Sequence, residues 1–180
     1  LQQDLEGLLL SAYLSDHIQE FVQENEPSDL FFRLLDSTVQ AVVAGVDRSL
    51  ATRYFEAWVL RLAGIFPVPE VCPQCGRQLE VAGVALLASG ESMVCRSCGG
   101  AEGGAKQVSP QAVRFLRQID SAKLVDLDRD RPASSTLDEV ERVCTLVRRS
   151  FLQHELKSYR VIRETIAGLP GEPNPSPDNH

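Results

Sequence analysis

Cys72-Pro73-Gln74-Cys75, followed after 19 residues by Cys95-Arg96-Ser97-Cys98, is the stretch around which the rest of this chain is organised. Two residues between cysteines let one tight turn aim both sulfurs at a single ion, and two such turns close a tetrahedron with metal–sulfur distances of about 2.3 Å. Gly76 and Gly99 follow the two pairs directly, where a backbone of positive φ is easiest for glycine. The rival reading is two disulfides or a set of free thiols. Leu1 to Leu10 carries Asp4 and Glu6 and no Lys or Arg, so no export is expected, and in a reducing compartment a thiolate metal site is the commoner use of such cysteines. The spacing therefore predicts Zn2+ held by Cys72, Cys75, Cys95 and Cys98. Four sulfurs leave no open coordination position, which predicts a structural and not a catalytic ion. The zinc deaminase pattern also needs H-x-E, and His17-Ile18-Gln19 lacks the Glu.

Outward from the cysteines the pattern is helical on both sides. Upstream, Leu5, Leu8, Leu9, Ala12, Ile18, Phe21 and Val22 recur at three and four until Pro27. Leu30, Phe31, Leu34, Leu35, Thr38, Val42 and Val43 give a second helix, capped by Ser28 or Asp29 and ended at Gly45. Leu50, Tyr54, Phe55, Trp58, Val59 and Leu62 give a third, stopped at Gly64. Pro67 and Pro69 force an extended lead into the first cysteine pair. Between the pairs, Leu79 to Leu87 and Met93-Val94 predict a short hairpin, and Gly99-Gly100 with Gly103-Gly104 a flexible exit.

Downstream, Ser109-Pro110 opens a helix through Val113, Leu116 and Ile119. Leu124 to Ser135 reads as a solvated polar link. Thr136-Leu137-Asp138-Glu139 reads as a capping box opening a helix of up to about 30 residues, or two helices broken near Ser150. Cys144 lies on its apolar stripe and reads as a buried, inert thiol. The expected fold is mainly α: a helical bundle with an inserted small zinc-ribbon or knuckle module. The expected division is 1–70 and 108–167 for the bundle, 71–107 for the insert and 168–180 for a proline-rich disordered tail.

Composition bounds the function. The 180 residues are 43% hydrophobic and 24% charged, which is globular, and no run approaches the roughly 18 uncharged apolar residues of a membrane span. The charge is unevenly placed. Residues 1–71 hold 11 acids and 4 bases, hence the whole surplus of −7. Between Arg142 and Arg163 stand Arg142, Arg148, Arg149, Lys157, Arg160 and Arg163 against Glu155 alone. An acidic front is thus joined to a basic rear, and the rear is the candidate surface for phosphates or an acidic peptide. No Ser-His-Asp arrangement or phosphate-cradling glycine loop suggests an enzyme.

The string Arg53-Tyr54-Phe55-Glu56, then Leu60 to Pro67, then the two cysteine pairs, with His154-Glu155-Leu156-Lys157-Ser158 inside the final helix, resembles the C-terminal part of the bacterial DNA repair protein RecO. That resemblance implies a cytoplasmic, nucleoid-associated recombination mediator without bond chemistry of its own. RecO-like proteins bind single- and double-stranded DNA, anneal complementary strands, and work with RecR and single-strand-binding protein to load recombinase. They commonly carry an N-terminal OB-fold, which is absent from this chain, so DNA binding by this part is expected to be weak. The basic residues Arg142, Arg148, Arg149, Lys157, Arg160 and Arg163 are then expected to meet DNA or the acidic tail of single-strand-binding protein. The alternative is a zinc-stabilised helical adaptor that binds only proteins.

Overall fold

The structure, a computed structural model, describes residues 2–22, 28–101 and 103–168. Three helices lead: α1 (Gln2–Phe21), α2 (Asp29–Val43) and α3 (Arg48–Leu62). The second and third end alike. Val46 N donates to Ala41 O at 3.0 Å and Ile65 N to Leu60 O at 3.0 Å, the six-residue closure that Gly45 and Gly64 permit by taking the left-handed turn. Asp47 caps α3 by accepting from Leu50 N at 2.9 Å. The helix that follows is buried almost all round and is the axis of the bundle, with α1, α2 and, further on, α7 packed against it.

Next come β1 (Val84–Leu86) and β2 (Met93–Cys95), paired antiparallel with Ala85 opposite Val94, which is the expected hairpin. A third strand, which no local residue pattern marks, joins them: β3 (Lys106–Val108) pairs with the other edge of β1, so the order is β2-β1-β3. Nor are Gly99 and Gly100 part of a flexible exit. Arg96–Ala101 forms a short helix, α4, and Gly99 is buried in it because a Cβ there would stand 2.9 Å from the Ala85 Cβ. Val84, Ala85, Leu86, Met93 and Val94 belong to the same continuous apolar core as the helices. Three-residue strands cannot make a core alone, so this sheet borrows the bundle's.

α5 (Pro110–Gln118) starts as expected, with Ser109 Oγ accepting from Ala112 N and proline in the first turn. The polar link is corrected. It contains α6 (Leu124–Arg129), whose Leu124 and Leu127 are buried, and Arg131 ties it down by pairing with Asp128 at 2.8 Å and Asp47 at 3.1 Å. Acids at alternate positions concealed two apolar residues three apart.

α7 (Ser134–Leu152) and α8 (Lys157–Gly168) are two helices, separated where Gln153 adopts φ 62°. The His154–Leu156 segment therefore lies between helices and not within one. The capping box does not form either. The helix begins at Ser134, before Thr136, and Glu139 instead accepts from Ser109 N at 2.7 Å and from its hydroxyl, anchoring the start of α5. The expected helix stop at Pro27 and the proline-rich tail beyond Gly168 lie outside the described residues.

Candidate metal centre and basic face

The first cysteine pair sits in a turn built by backbone hydrogen bonds. Gly76 N donates to Cys72 O at 2.8 Å and Cys72 N to Arg77 O at 2.8 Å, while Val71 and Gln78 form a bridge at its base. The second pair is placed by a strand and a helix start, with Cys95 closing β2 and Cys98 in the first turn of α4. The four Sγ atoms all lie within 4.8 Å of one another. A tetrahedron with metal–sulfur bonds of about 2.3 Å has edges of about 3.8 Å. Cys75 Sγ and Cys95 Sγ are 3.8 Å apart, so these residues fit a metal ion in a closed shell.

Arg77 meets the sulfurs as a positive partner should. Its Nε donates to Cys75 Sγ at 3.4 Å and its Nη2 to Cys95 Sγ at 3.6 Å, and this holds the Cys75 thiol below the ordinary thiol range. Cys98, hydrogen-bonded to Cys95 and close to the other sulfurs, is pushed up to about 12. Four acidic groups converge on one point. Cys144 is remote from them in sequence and wholly buried in α7, and burial pushes its thiol up, which suits an inert core residue.

Arg117 fastens the metal module to the bundle. From α5 its guanidinium donates to Pro69 O at 3.0 Å and to Leu79 O at 2.6 Å, so it clamps the backbone on both sides of the first cysteine turn. On another side Gly90, in the β1–β2 turn, presses on α7, where a Cβ would stand 3.0 Å from Leu146 O.

The basic rear divides. Arg142 and Arg149, seven apart on α7, and Lys157 and Arg160 on α8 are exposed. Arg149 makes only a 3.7 Å approach to Glu155. The side chain of Arg163 lies outside the described residues. Arg148 is a correction, because it is 1% exposed and points into the bundle, unable to touch DNA or peptide at the surface. Helical spacing explains this. Arg148 follows Cys144 by four residues and so continues the buried stripe of α7.

Inside, Arg148 belongs to a charged cluster that no local spacing in the sequence marks, because its members lie far apart along the chain. Tyr13 donates to Glu56; Arg53 pairs with Glu56 at 3.2 Å and with Glu141 at 2.8 Å; Arg148 donates to Tyr13 Oη at 3.1 Å and to Glu155 at 2.6 Å. Burial pushes the Glu56 carboxyl up against the pull of Arg53 and Arg148. Burial, aided by the Arg148 charge, lowers His17 to about 3, so the ring is neutral and its Nε2 faces Arg148 Nη1 at 3.2 Å. Phe151, near the end of α7, is half-exposed and stacks on Phe21 with ring centres 5.9 Å apart. Beside it a shallow groove of about 350 Å³ is lined by Gly64, Ile65, Gly90, Glu91, Val147, Ser150 and Phe151.

These features define a class: a helical bundle that carries an inserted four-cysteine knuckle and exposes cations at the junction of its last two helices. The family model described as "Recombination protein O C terminal" matches residues 2–160. The chain belongs to that family, the C-terminal region of RecO. It is 27% identical over 165 residues to the DNA repair protein RecO of Moorella thermoacetica, covering 91% of this chain and 61% of that protein. It is 24% identical over 158 residues to RecO of Desulforamulus reducens, covering 88% and 61%. A shorter match, 32% over 98 residues, is to RecO of an Anaeromyxobacter species, covering 54% and 39%. The chain thus spans about three fifths of the length of the relatives it matches most fully. Among the described residues no helix is long and apolar enough to cross a membrane.

Proposed function

We propose that this chain is the helical, zinc-bearing part of a DNA repair and recombination mediator, working in the cytoplasm at the nucleoid without bond chemistry of its own. The observation that carries the reading is the family match over residues 2–160, a span that includes both cysteine pairs and most of the bundle. In this reading Zn2+ binds Cys72, Cys75, Cys95 and Cys98 and serves as a scaffold, since a full sulfur shell leaves no place for water or substrate. Residues 71–107 are the insert, and 1–70 with 108–167 the bundle that receives it.

DNA and the acidic tail of single-strand-binding protein then meet the exposed cations Arg142, Arg149, Lys157 and Arg160, with Arg163 further along α8. The groove supports the tail contact through its Ile65, Val147 and Phe151 walls, which can take the apolar end of an acidic peptide, with Arg149 adjoining Ser150 on one side and Glu91 leaving the acidic part of the peptide to the cations outside. RecR belongs to the same reading as the partner of the whole mediator.

Titration with a single-stranded oligonucleotide and, separately, with the tail peptide tests the proposal. Binding should weaken as salt rises, and Arg149→Glu with Lys157→Glu should cost about tenfold or more in affinity. Absence of both interactions near about 50 mM salt, with metal content and helicity intact, would instead favour the adaptor that binds other proteins only.

A further inference from the structure

α2 has two apolar faces, and the fold uses one. Leu34, Thr38 and Ala41 are buried toward α3, while Phe32 and Val43 are 67% and 83% exposed and Val39 is exposed between them. At about 100° per residue these three fall on one narrow arc opposite the buried stripe. Asp36 lies about 20° and Asp29 about 40° beyond the Val43 side of that arc, both exposed, so acids flank the apolar stripe on one side. Arg33 is the single cation on the helix and stands off to one side of the arc. An amphipathic helix that keeps Phe and two Val in water along its solvent side has an unmet partner.

We propose that the outer face of α2 is a docking surface for an amphipathic helical segment of another protein, apolar on one side and rich in Lys or Arg beside it. Charge selects this occupant. The first 71 residues carry a surplus of −7, and Asp36 and Asp29 border the outer stripe on one side, so a segment with cations beside its apolar face is drawn in and an anionic one, like an anionic membrane, is repelled. A second copy of the chain is disfavoured by symmetry. Asp36 is the midpoint of Asp29–Val43, so two α2 helices paired about a two-fold axis would place Asp36 against its own counterpart. The surface is separate from the cations of the proposed DNA face, which belong to α7 and α8, whereas α2 packs on α3 and α6.

The test uses the full chain and a labelled amphipathic helical peptide of leucine and lysine, followed by fluorescence anisotropy. A peptide of the same composition in scrambled order, and a leucine–glutamate counterpart, are the comparisons. The proposal expects saturable binding of the ordered lysine peptide and weaker binding of the scrambled one. Phe32→Ser with Val43→Ser should weaken it about tenfold, the size of a lost buried aromatic contact. Asp29→Lys with Asp36→Lys should abolish it and confer binding of the glutamate peptide. All four substitutions are at exposed positions, and circular dichroism checks that helicity is kept. The proposal is overturned if the lysine peptide does not bind, if binding is the same in the Phe32/Val43 variant, or if sedimentation shows a self-association that this variant abolishes.

Discussion

Arg148 and Glu155 form an ion pair, Nη2 to Oε1 at 2.6 Å, that spans the break between α7 and α8. The cation is buried and the carboxylate is at the edge of solvent, so the pair holds the hinge from inside. The same guanidinium donates to Tyr13 on α1 and lies 5.0 Å from the ring centre of Tyr159 on α8. One side chain of α7 therefore ties the first helix, α1, to the last, α8. Asp16 on α1 completes the tie by accepting from the Ser158 amide at 3.0 Å and its hydroxyl at 2.6 Å.

Removing the cation should cost far more than neutralising its exposed partner. Arg148→Ala removes the cationic donor of the buried Tyr13 hydroxyl and of Glu155, leaves Arg53 as the cation paired with buried Glu56, and should destabilise the fold by about 3–5 kcal/mol. Glu155→Gln keeps a hydrogen-bond acceptor at a half-wet site and should cost about 1 kcal/mol or less. Urea denaturation of the two variants measures both, and equal losses would show that the buried cluster does not organise the helices.

Acid should unfold the protein partly through His17. Its native value is lowered to about 3 from an ordinary 6.5, so below pH 6.5 the unfolded chain binds a proton that the native chain refuses. Stability from this group is complete above 6.5 and falls as pH drops toward 3, by about 1.4 kcal/mol per pH unit. Glu56, whose carboxyl is raised, works in the opposite sense. Comparing the native sequence with His17→Gln isolates the histidine, because Glu56 is common to both. The variant should show the shallower loss between pH 6.5 and 4, and parallel curves would refute the assignment.

Gly90 should not tolerate a methyl group. Its φ is +75° and an added Cβ would meet backbone atoms of Leu146 and Val147 at 3.0–3.2 Å, neither of which can turn aside. Gly90→Ala should destabilise by about 1–3 kcal/mol and loosen the hairpin from α7, read as faster amide exchange in β1 and β2. Gly100→Ala, where nothing lies within 4 Å, is the neutral comparison.

Chelation should release one metal ion per chain and act locally first. The cysteine turns should lose protection from exchange while the α1–α3 core, held by apolar burial and the Arg53–Glu56–Glu141 pairs, keeps its helicity. Cys75→Ser should lower metal affinity without changing the far-ultraviolet helix signal by more than a small fraction. Collapse of the whole bundle on chelation would mean that the metal, and not the shared core, holds the insert in place.

Local spacing, read along the chain, was enough for the two cysteine pairs, for the helices flanking them, for the end of helix before Pro67 and for the Ser109 cap, because each is set by residues within a few positions of one another. The inward face of α1 was not legible. Tyr13 and His17 are buried while Leu8 is exposed, since polar groups go inside only when a partner waits there, and those partners, Glu56 and Arg148, come from 43 and 131 residues away. For the same reason Glu139 read as a cap for its own helix and proved to anchor α5, and Arg148 read as surface charge and proved to be the tie of the bundle. Sequence by itself determined where sulfur, glycine and proline force the chain. Only the tertiary structure decided which charges face water, because the cost of burying a charge depends on what stands opposite it, and that is fixed when distant segments meet.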